Sequence, residues 1–253
     1  MKKIILTLSL VALTLSAMSQ EYKVARTSGK LHIVEVNDVT IEGYDGKEIV
    51  FSSRTNEREH DKRADGLRAV SSLGLEDNTG LGLSVKENGD VIEVRQLKKM
   101  DGPDIRIKVP KGIVISYEHT SPYGSDFRLK NLDNEVFIST VHNQVDLDNV
   151  TGPVTVKTVH GDIDASFTSG VKNKIILESV HGHVDLGIPA TTKATLKMET
   201  SWGELFVDPE LKIEIANTGD MVKYSDNFNG KMNGGGIEIE LASTHNNVYV
   251  RKR

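Results

Sequence analysis

Leu129 to Leu147 reads LKNLDNEVFISTVHNQVDL, and Leu147 to Ala165 reads LDNVTGPVTVKTVHGDIDA, the same pattern eighteen residues on. Seven positions are identical across that offset: Leu129 and Leu147, Asn131 and Asn149, Val136 and Val154, Thr140 and Thr158, Val141 and Val159, His142 and His160, Asp146 and Asp164. A third copy follows after twenty-one residues, with Ile175, Leu177, Val180, His181, Gly182, Val184, Asp185 and Leu186 on the same slots. A period near twenty is too short for a helical hairpin and is filled with alternating apolar and polar residues, so each copy is one turn of a strand-and-turn solenoid. The predicted fold is an all-β solenoid with rungs of about 18–21 residues.

Alternation points one set of side chains inward, and these form columns down the stack. Val136, Val154, Ile175, Leu196 and Ile239 make one column, and Ile138, Val156, Leu177, Met198 and Leu241 the next. Beyond the turn come Val145, Ile163, Val184, Leu205 and Val248, then Leu147, Ala165, Leu186, Val207 and Val250. Burying each such side chain stabilises by roughly 1.5–3 kcal/mol, but only when neighbouring rungs supply the walls, so the repeats stand or fall together. The outward slot holding Ser139, Lys157, Glu178, Glu199 and Ala242 changes character freely, as a solvated face does.

Between paired strands sits Val-His-Asn or Val-His-Gly, at 141–143, 159–161 and 180–182, with Trp202-Gly203 and His245-Asn246 in the same corner of later turns. Gly161 and Gly182 suit a corner with positive φ, and Asn143 is the usual substitute there. Ile213, Ile215 and Thr218-Gly219 are candidates for one more turn in the less regular stretch 208–235. Upstream, Val109-Pro110-Lys111-Gly112 punctuates the chain, and Ile113, Ile115, Tyr117, Phe127 and Leu129 make an earlier rung. Residues 20–100 read as an irregular N-terminal β region capping one end of a repeat domain that spans 101–253. At the other end Arg251-Lys252-Arg253 would guard the last strand with charge.

Residues 1–19 read as a signal peptide: Lys2 and Lys3, an apolar run from Ile4 to Leu15, and a small-x-small site at Ala17-Met18-Ser19. The run falls short of the roughly 20 residues that span a bilayer, and no later stretch could span. The expected location is therefore outside the cytosol: periplasm, outer surface or extracellular medium. With no cysteine, neither disulfides nor a lipid-modified cysteine enters the account. Lys and Arg number 31 against 36 Asp and Glu; without Lys2 and Lys3 the balance is 29 against 36, a net charge of −7. Such a surface gives no electrostatic reason to bind nucleic acid or anionic lipid.

The corner histidines are the sharpest chemical feature. His142, His160 and His181 share one slot, with His183 two residues past the last of them, and rungs about 4.8 Å apart would let neighbouring imidazoles share a zinc ion. Against this, a duplicated rung repeats whatever its corner tolerates. The aspartate column Asp146, Asp164 and Asp185 has the residue type that β-helix polysaccharide enzymes use, although connections of three to six residues leave little room for a cleft. Trp202, Phe206 and Tyr249 offer an aromatic patch able to stack on sugars, with core filling as the plainer alternative. No nucleophile, phosphate-cradling or dinucleotide signature is present, and no cofactor is expected.

Several segments carry a family resemblance: Gly43-Tyr44-Asp45-Gly46-Lys47-Glu48, the Val109 to Gly112 hinge, Asn149-Val150-Thr151-Gly152, Thr158-Val159-His160-Gly161-Asp162-Ile163, Gly234-Gly235-Gly236-Ile237, and Thr244-His245-Asn246-Asn247-Val248-Tyr249-Val250. In these the chain resembles the secreted bacterial adhesin-like family of β-strand repeats, a domain of unknown function (4097). The resemblance implies a single-stranded parallel, right-handed β-helix and an adhesin label that rests on shape, and no catalytic or binding residues. The usual Asn-Gly or Ser-Gly corner of that family is His-Gly here. Two function classes follow: a non-catalytic exported module binding an envelope protein or a surface glycan, or a polysaccharide-active enzyme using the Asp164 and Asp185 face.

Overall fold

The computed structural model describes residues 20–53, 62–168, 170–215 and 226–253. The signal peptide and the Thr218-Gly219 turn lie outside them. The described residues form twenty-one strands and a single 3-10 turn, Lys62–Ala64. In chain order the strands are β1 Glu21–Val24, β2 Gly29–Val34, β3 Asp38–Tyr44, β4 Ile49–Ser53, β5 Leu83–Asn88, β6 Val91–Gln96 and β7 Asp104–Pro110. Next come β8 Ile113–His119, β9 Asp126–Leu132, β10 Val136–Thr140, β11 Gln144–Val150, β12 Val154–Thr158, β13 Ile163–Ser166, β14 Ile175–Ser179 and β15 Val184–Ile188. The last are β16 Ala194–Thr200, β17 Leu205–Val207, β18 Ile213–Ile215, β19 Asp226–Met232, β20 Ile237–Ser243 and β21 Val248–Lys252.

Each rung contributes one strand to an eleven-stranded sheet and the next to a ten-stranded sheet, and the two sheets face each other across one apolar core. Pairing between rungs is parallel and in the register the sequence indicates. Val136 lies on Val154 and Val154 on Ile175, while Val145 lies on Ile163 and Ile163 on Val184. Burial alternates accordingly, as in β10, where Val136, Ile138 and Thr140 are buried and Phe137 and Ser139 exposed. The strands are rich in Val, Ile and Thr, which fit a pleated surface. The columns hold through nearly their whole length; only Leu205 and Val207, in the outermost strand of the second sheet, are partly exposed.

The order of the rungs departs from chain order. Down the stack it runs β6/β7, β2/β3, β8/β9, β10/β11, β12/β13, β14/β15, β20/β21, β16/β17. A helix wound once from end to end is thereby corrected: the chain's last rung, β20/β21, is inserted between β14/β15 and β16/β17, and its first, β2/β3, between β6/β7 and β8/β9. Pairing is also not parallel throughout. β5 and β4 run antiparallel against β6 and β7, β1 against β4, and at the other end β19 against β16 and β18 against β19.

Two local expectations change with that order. Ile213 and Ile215 do not open another rung; they belong to the antiparallel cover over β16 and β19. Arg251 does not guard an open edge either, because β21 is paired on both sides, and the guanidinium holds Asp185 at 2.6 and 2.9 Å. The exposed end of the second sheet is instead the three-residue β17, and a short edge strand is a common way to limit unwanted pairing.

Candidate functional site

The corner after β10, β12, β14, β20 and β16 is built the same way each time. A hydroxyl at the strand end, Thr140, Thr158, Ser179, Ser243 or Thr200, is buried and accepts the backbone N–H three residues on, at 2.9–3.3 Å. Three of them also donate to a carbonyl of the rung beneath: Ser179 to Gly161, Ser243 to Gly182 and Thr200 to Asn246, at 2.8–3.0 Å. The motif is thus Ser/Thr-x-His/Trp-Gly/Asn. The hydroxyl was visible in the repeat as the identical Thr140 and Thr158, but in sequence it reads as an ordinary inward strand residue.

Gly161, Gly182 and Asn143 do not have positive φ; that conformation falls to Asn131 and Asn149, at 52° and 54°, in the opposite corner. Gly161 and Gly182 are required for another reason. A Cβ on them would stand 1.8 and 2.1 Å from the carbonyl oxygens of Asn143 and Gly161 in the rung beneath. Gly203 meets Asn246 in the same way, at 2.1 Å.

This tight corner throws the next side chain outward. His142, His160, His181 and His245 are exposed and stack face to face, with centroids 5.1, 4.8 and 4.7 Å apart and planes within 14°, 7° and 8° of parallel. Trp202, 77% exposed, continues the ladder beyond His245 at 6.5 Å. The spacing is fixed by main chain: the amides of His160, His181 and His245 donate to Val141, Val159 and Val180 at 2.7–2.9 Å. Desolvation first, and then the neighbouring His245 and His160, hold the His181 imidazole below its ordinary pKa.

His183 stands apart from the ladder, on the face of the second sheet. Its Nδ1 lies 3.0 Å from Asp162 and its Nε2 3.1 Å from Asp164. The column it joins runs Arg128, Asp146, Asp164, Asp185, Tyr249, Phe206. Arg128 binds Asp126, Asp38 at 3.3 Å and Asp146 at 3.6 Å. Burial, ahead of the other influences, raises the carboxyl of Asp146. Asp164 also accepts from Gln144 at 3.3 Å. The column is therefore laced by basic and amide partners.

Phe206 stacks on Tyr249 at 5.2 Å, and the Arg251 guanidinium lies over the Tyr249 ring at 5.0 Å. With Trp202 at the corner of the rung that holds Phe206, the three aromatics lie on the last two rungs of the stack. A shallow cleft of about 270 Å³ opens beside Phe206, Tyr249 and Arg251. A larger one of about 530 Å³ lies at the other end, where the 71–73 segment stands against Glu35, Asn37 and Lys98; the longer connections there make the room that the short corners do not.

Both sheets and the repeated corner define a β-solenoid-like protein of stacked two-strand rungs. Residues 14–251 match the model of the Toastrack family, domain of unknown function 4097, and the chain belongs to that family. Among solved structures the chain is similar to a candidate cell adhesion protein from Clostridium sporogenes, with 12% identity over 93% of this chain and 100% of that one, at a TM-score of 0.45. It is also similar to a candidate adhesin from Bacteroides fragilis, with 8% identity over 92% and 96% of the two chains, at a TM-score of 0.30. No curated protein matches the chain.

Proposed function

We propose that the chain is a non-catalytic, exported binding module of the cell envelope, coiled in a right-handed sense, whose aromatic end rung and corner contact a surface glycan or an envelope protein. The observation that carries this reading is the stacking of Phe206, 42% exposed, on Tyr249 across the last two rungs, with Trp202, 77% exposed, at the corner of the outer one. Large, stiff aromatic rings with a polar neighbour such as Arg251 supply contact area at little cost in side-chain entropy. Export to the periplasm, outer surface or medium follows from the leader-like residues 1–19, and no described helix is long and apolar enough to cross a membrane.

The polysaccharide-active alternative would use Asp164 and Asp185, which sit in register on adjacent strands. Arg251 holds Asp185 and His183 holds Asp164, so neither carboxylate is left open to a substrate without displacing a partner. Two measurements test the reading together. On a glycan array the mature protein is expected to retain a defined subset of neutral glycans, and Trp202→Ala with Phe206→Ala to lose them. Equal retention by the double variant rejects the aromatic end as the contact. Turnover of any polysaccharide that Asp164→Asn abolishes would reject the non-catalytic assignment.

A further inference from the structure

Insertion of the last rung places His245 directly on His181, so four imidazoles run without interruption, whereas the chain order His181, Trp202, His245 puts tryptophan between them. We propose that this ladder binds a late first-row transition-metal ion, Cu2+ foremost, through the ring nitrogens of neighbouring histidines centred on His160, His181 and His245. All four rings are exposed, and among the described residues none of their ring nitrogens has a protein hydrogen-bond partner. His183 differs, since both its nitrogens face carboxylates. Imidazole suits Cu, Ni and Zn, and divalent-ion affinity peaks at Cu2+.

Two nitrogens sharing one ion must lie within about 4 Å, twice a metal–imidazole bond of roughly 2.0–2.1 Å. The closest ring pairs have centroids 4.8 and 4.7 Å apart and planes within 8° of parallel, so in equivalent ring orientations a gap remains between corresponding nitrogens. The terminal torsion of histidine is soft, so inclining two exposed rings toward each other closes the gap while the hydrogen-bonded corner stays fixed. Among the described residues no three His, Asp or Glu side chains already converge on one point. The bound state is therefore a site of two or three imidazoles completed by water.

Trp202 is the only tryptophan and stacks on the end of the ladder, which makes it a built-in reporter for a quenching ion. Titrating Cu2+ into the leader-free protein is expected to quench Trp202 emission saturably, with reversal by excess Zn2+ and a nitrogen-coupled signal in copper spin resonance. His181→Asn removes the ring shared by both close pairs. Its affinity should fall tenfold or more, given that even outer-shell partners of a bound metal contribute roughly 10–100-fold. His245→Asn should weaken binding likewise, and His183→Asn should leave it unchanged. His181→Gln, with far-UV circular dichroism on every variant, separates lost ligation from lost fold. Quenching no different from that of free tryptophan amide, or wild-type affinity in both His181 variants, overturns the assignment.

Discussion

From β8 to β15, residues 113–188, each rung sits on the one that precedes it in the chain, whereas at either end the rung nearest the terminus is inserted one place inward. Apolar columns cannot tell these arrangements apart. Ile239 of the inserted rung fits between Ile175 and Leu196 as well as it would beyond them, because every slot in the column is a buried aliphatic of similar size. What distinguishes the positions is polar and sits at the corners. Near the N-terminal end, Gln96 Oε1 accepts from the Asn37 amide at 3.1 Å, Asn37 Oδ1 meets His119 at 3.1 Å, and Asn143 donates to the Tyr117 hydroxyl at 3.0 Å and to the Asn37 carbonyl at 3.2 Å. That network joins four successive rungs. A buried polar group satisfied in only one arrangement selects that arrangement.

Losing the inserted C-terminal rung should cost the most. Deleting residues 237–253 removes the buried Ile239, Leu241, Val248 and Val250 and strands β16 and β17 without their parallel partners. At roughly 1.5–3 kcal/mol per side chain the loss is about 6–12 kcal/mol, the size of a whole domain's stability of about 5–15 kcal/mol. Urea unfolding of the truncated chain is expected to lose its cooperative transition. A wild-type transition in that chain would mean that the last rung is an appendage rather than a layer.

A smaller effect is expected within the ordered middle. Gly182→Ala sets a Cβ against the Gly161 carbonyl, where no side-chain movement can give way, so the rungs must part. Overpacking of this kind costs about 1–3 kcal/mol. Chemical denaturation reads it directly, and a neutral result would show that the corner is looser than its geometry. The same substitution at Gly89, which has open space around it but φ at 59°, costs through backbone strain alone and serves as the contrast.

These contrasts also mark what the sequence could and could not disclose. Register was legible, since Val136, Val154 and Ile175 announce their alignment by identical spacing from a shared Thr/Ser-Val-His corner. Rank was not, because it depends on contacts such as Ser243 to Gly182 that join residues sixty-one apart. The leading members of the histidine slot were legible for the same reason as the register, but the adjacency of His181 and His245 was hidden with the rank. The corner glycines stand out in the sequence but their cause does not: their requirement comes from the approach of the rung beneath, which a single turn does not reveal.

The hydroxyl column supplies a matched pair. Ser179 belongs to the sequential middle and Ser243 to the inserted rung, yet each accepts a corner amide, at 2.9 and 3.1 Å, and donates to the carbonyl beneath, at 3.0 and 2.8 Å. Replacing either with alanine leaves a corner N–H unpaired, buried at Gly182 and partly buried at Asn246, a loss of about 1–3 kcal/mol. Equal losses are expected in equilibrium unfolding, because the corner works without regard to rank. A loss confined to Ser179→Ala would show that the inserted rung is held by its apolar columns alone.

Acid should probe the N-terminal network more gently. His119 is fully buried, 3.7 Å from the Glu35 carboxylate, with no partner for its Nδ1. Burial, against the pull of Glu35, holds its imidazole below the ordinary 6.5. The unfolded chain then binds the proton more readily, so this stability is present above the unfolded value and lost as pH falls through it toward the depressed folded one. Glu35 acts lower. Burial works to raise its carboxyl, but hydrogen bonds from Thr120 and Ser121, aided by His119, outweigh it and hold the group below 4.5, so its contribution is lost only as pH drops beneath that value. His181 shifts in the same direction as His119, which makes the wild-type profile a mixture and the difference against His119→Gln the informative quantity. A glutamine side chain at this position keeps a donor for Asn37 and cannot titrate. Between about pH 7.5 and 5.5 the wild type is expected to lose stability more steeply than the variant, and parallel slopes would mean that the buried imidazole accepts its proton as freely folded as unfolded.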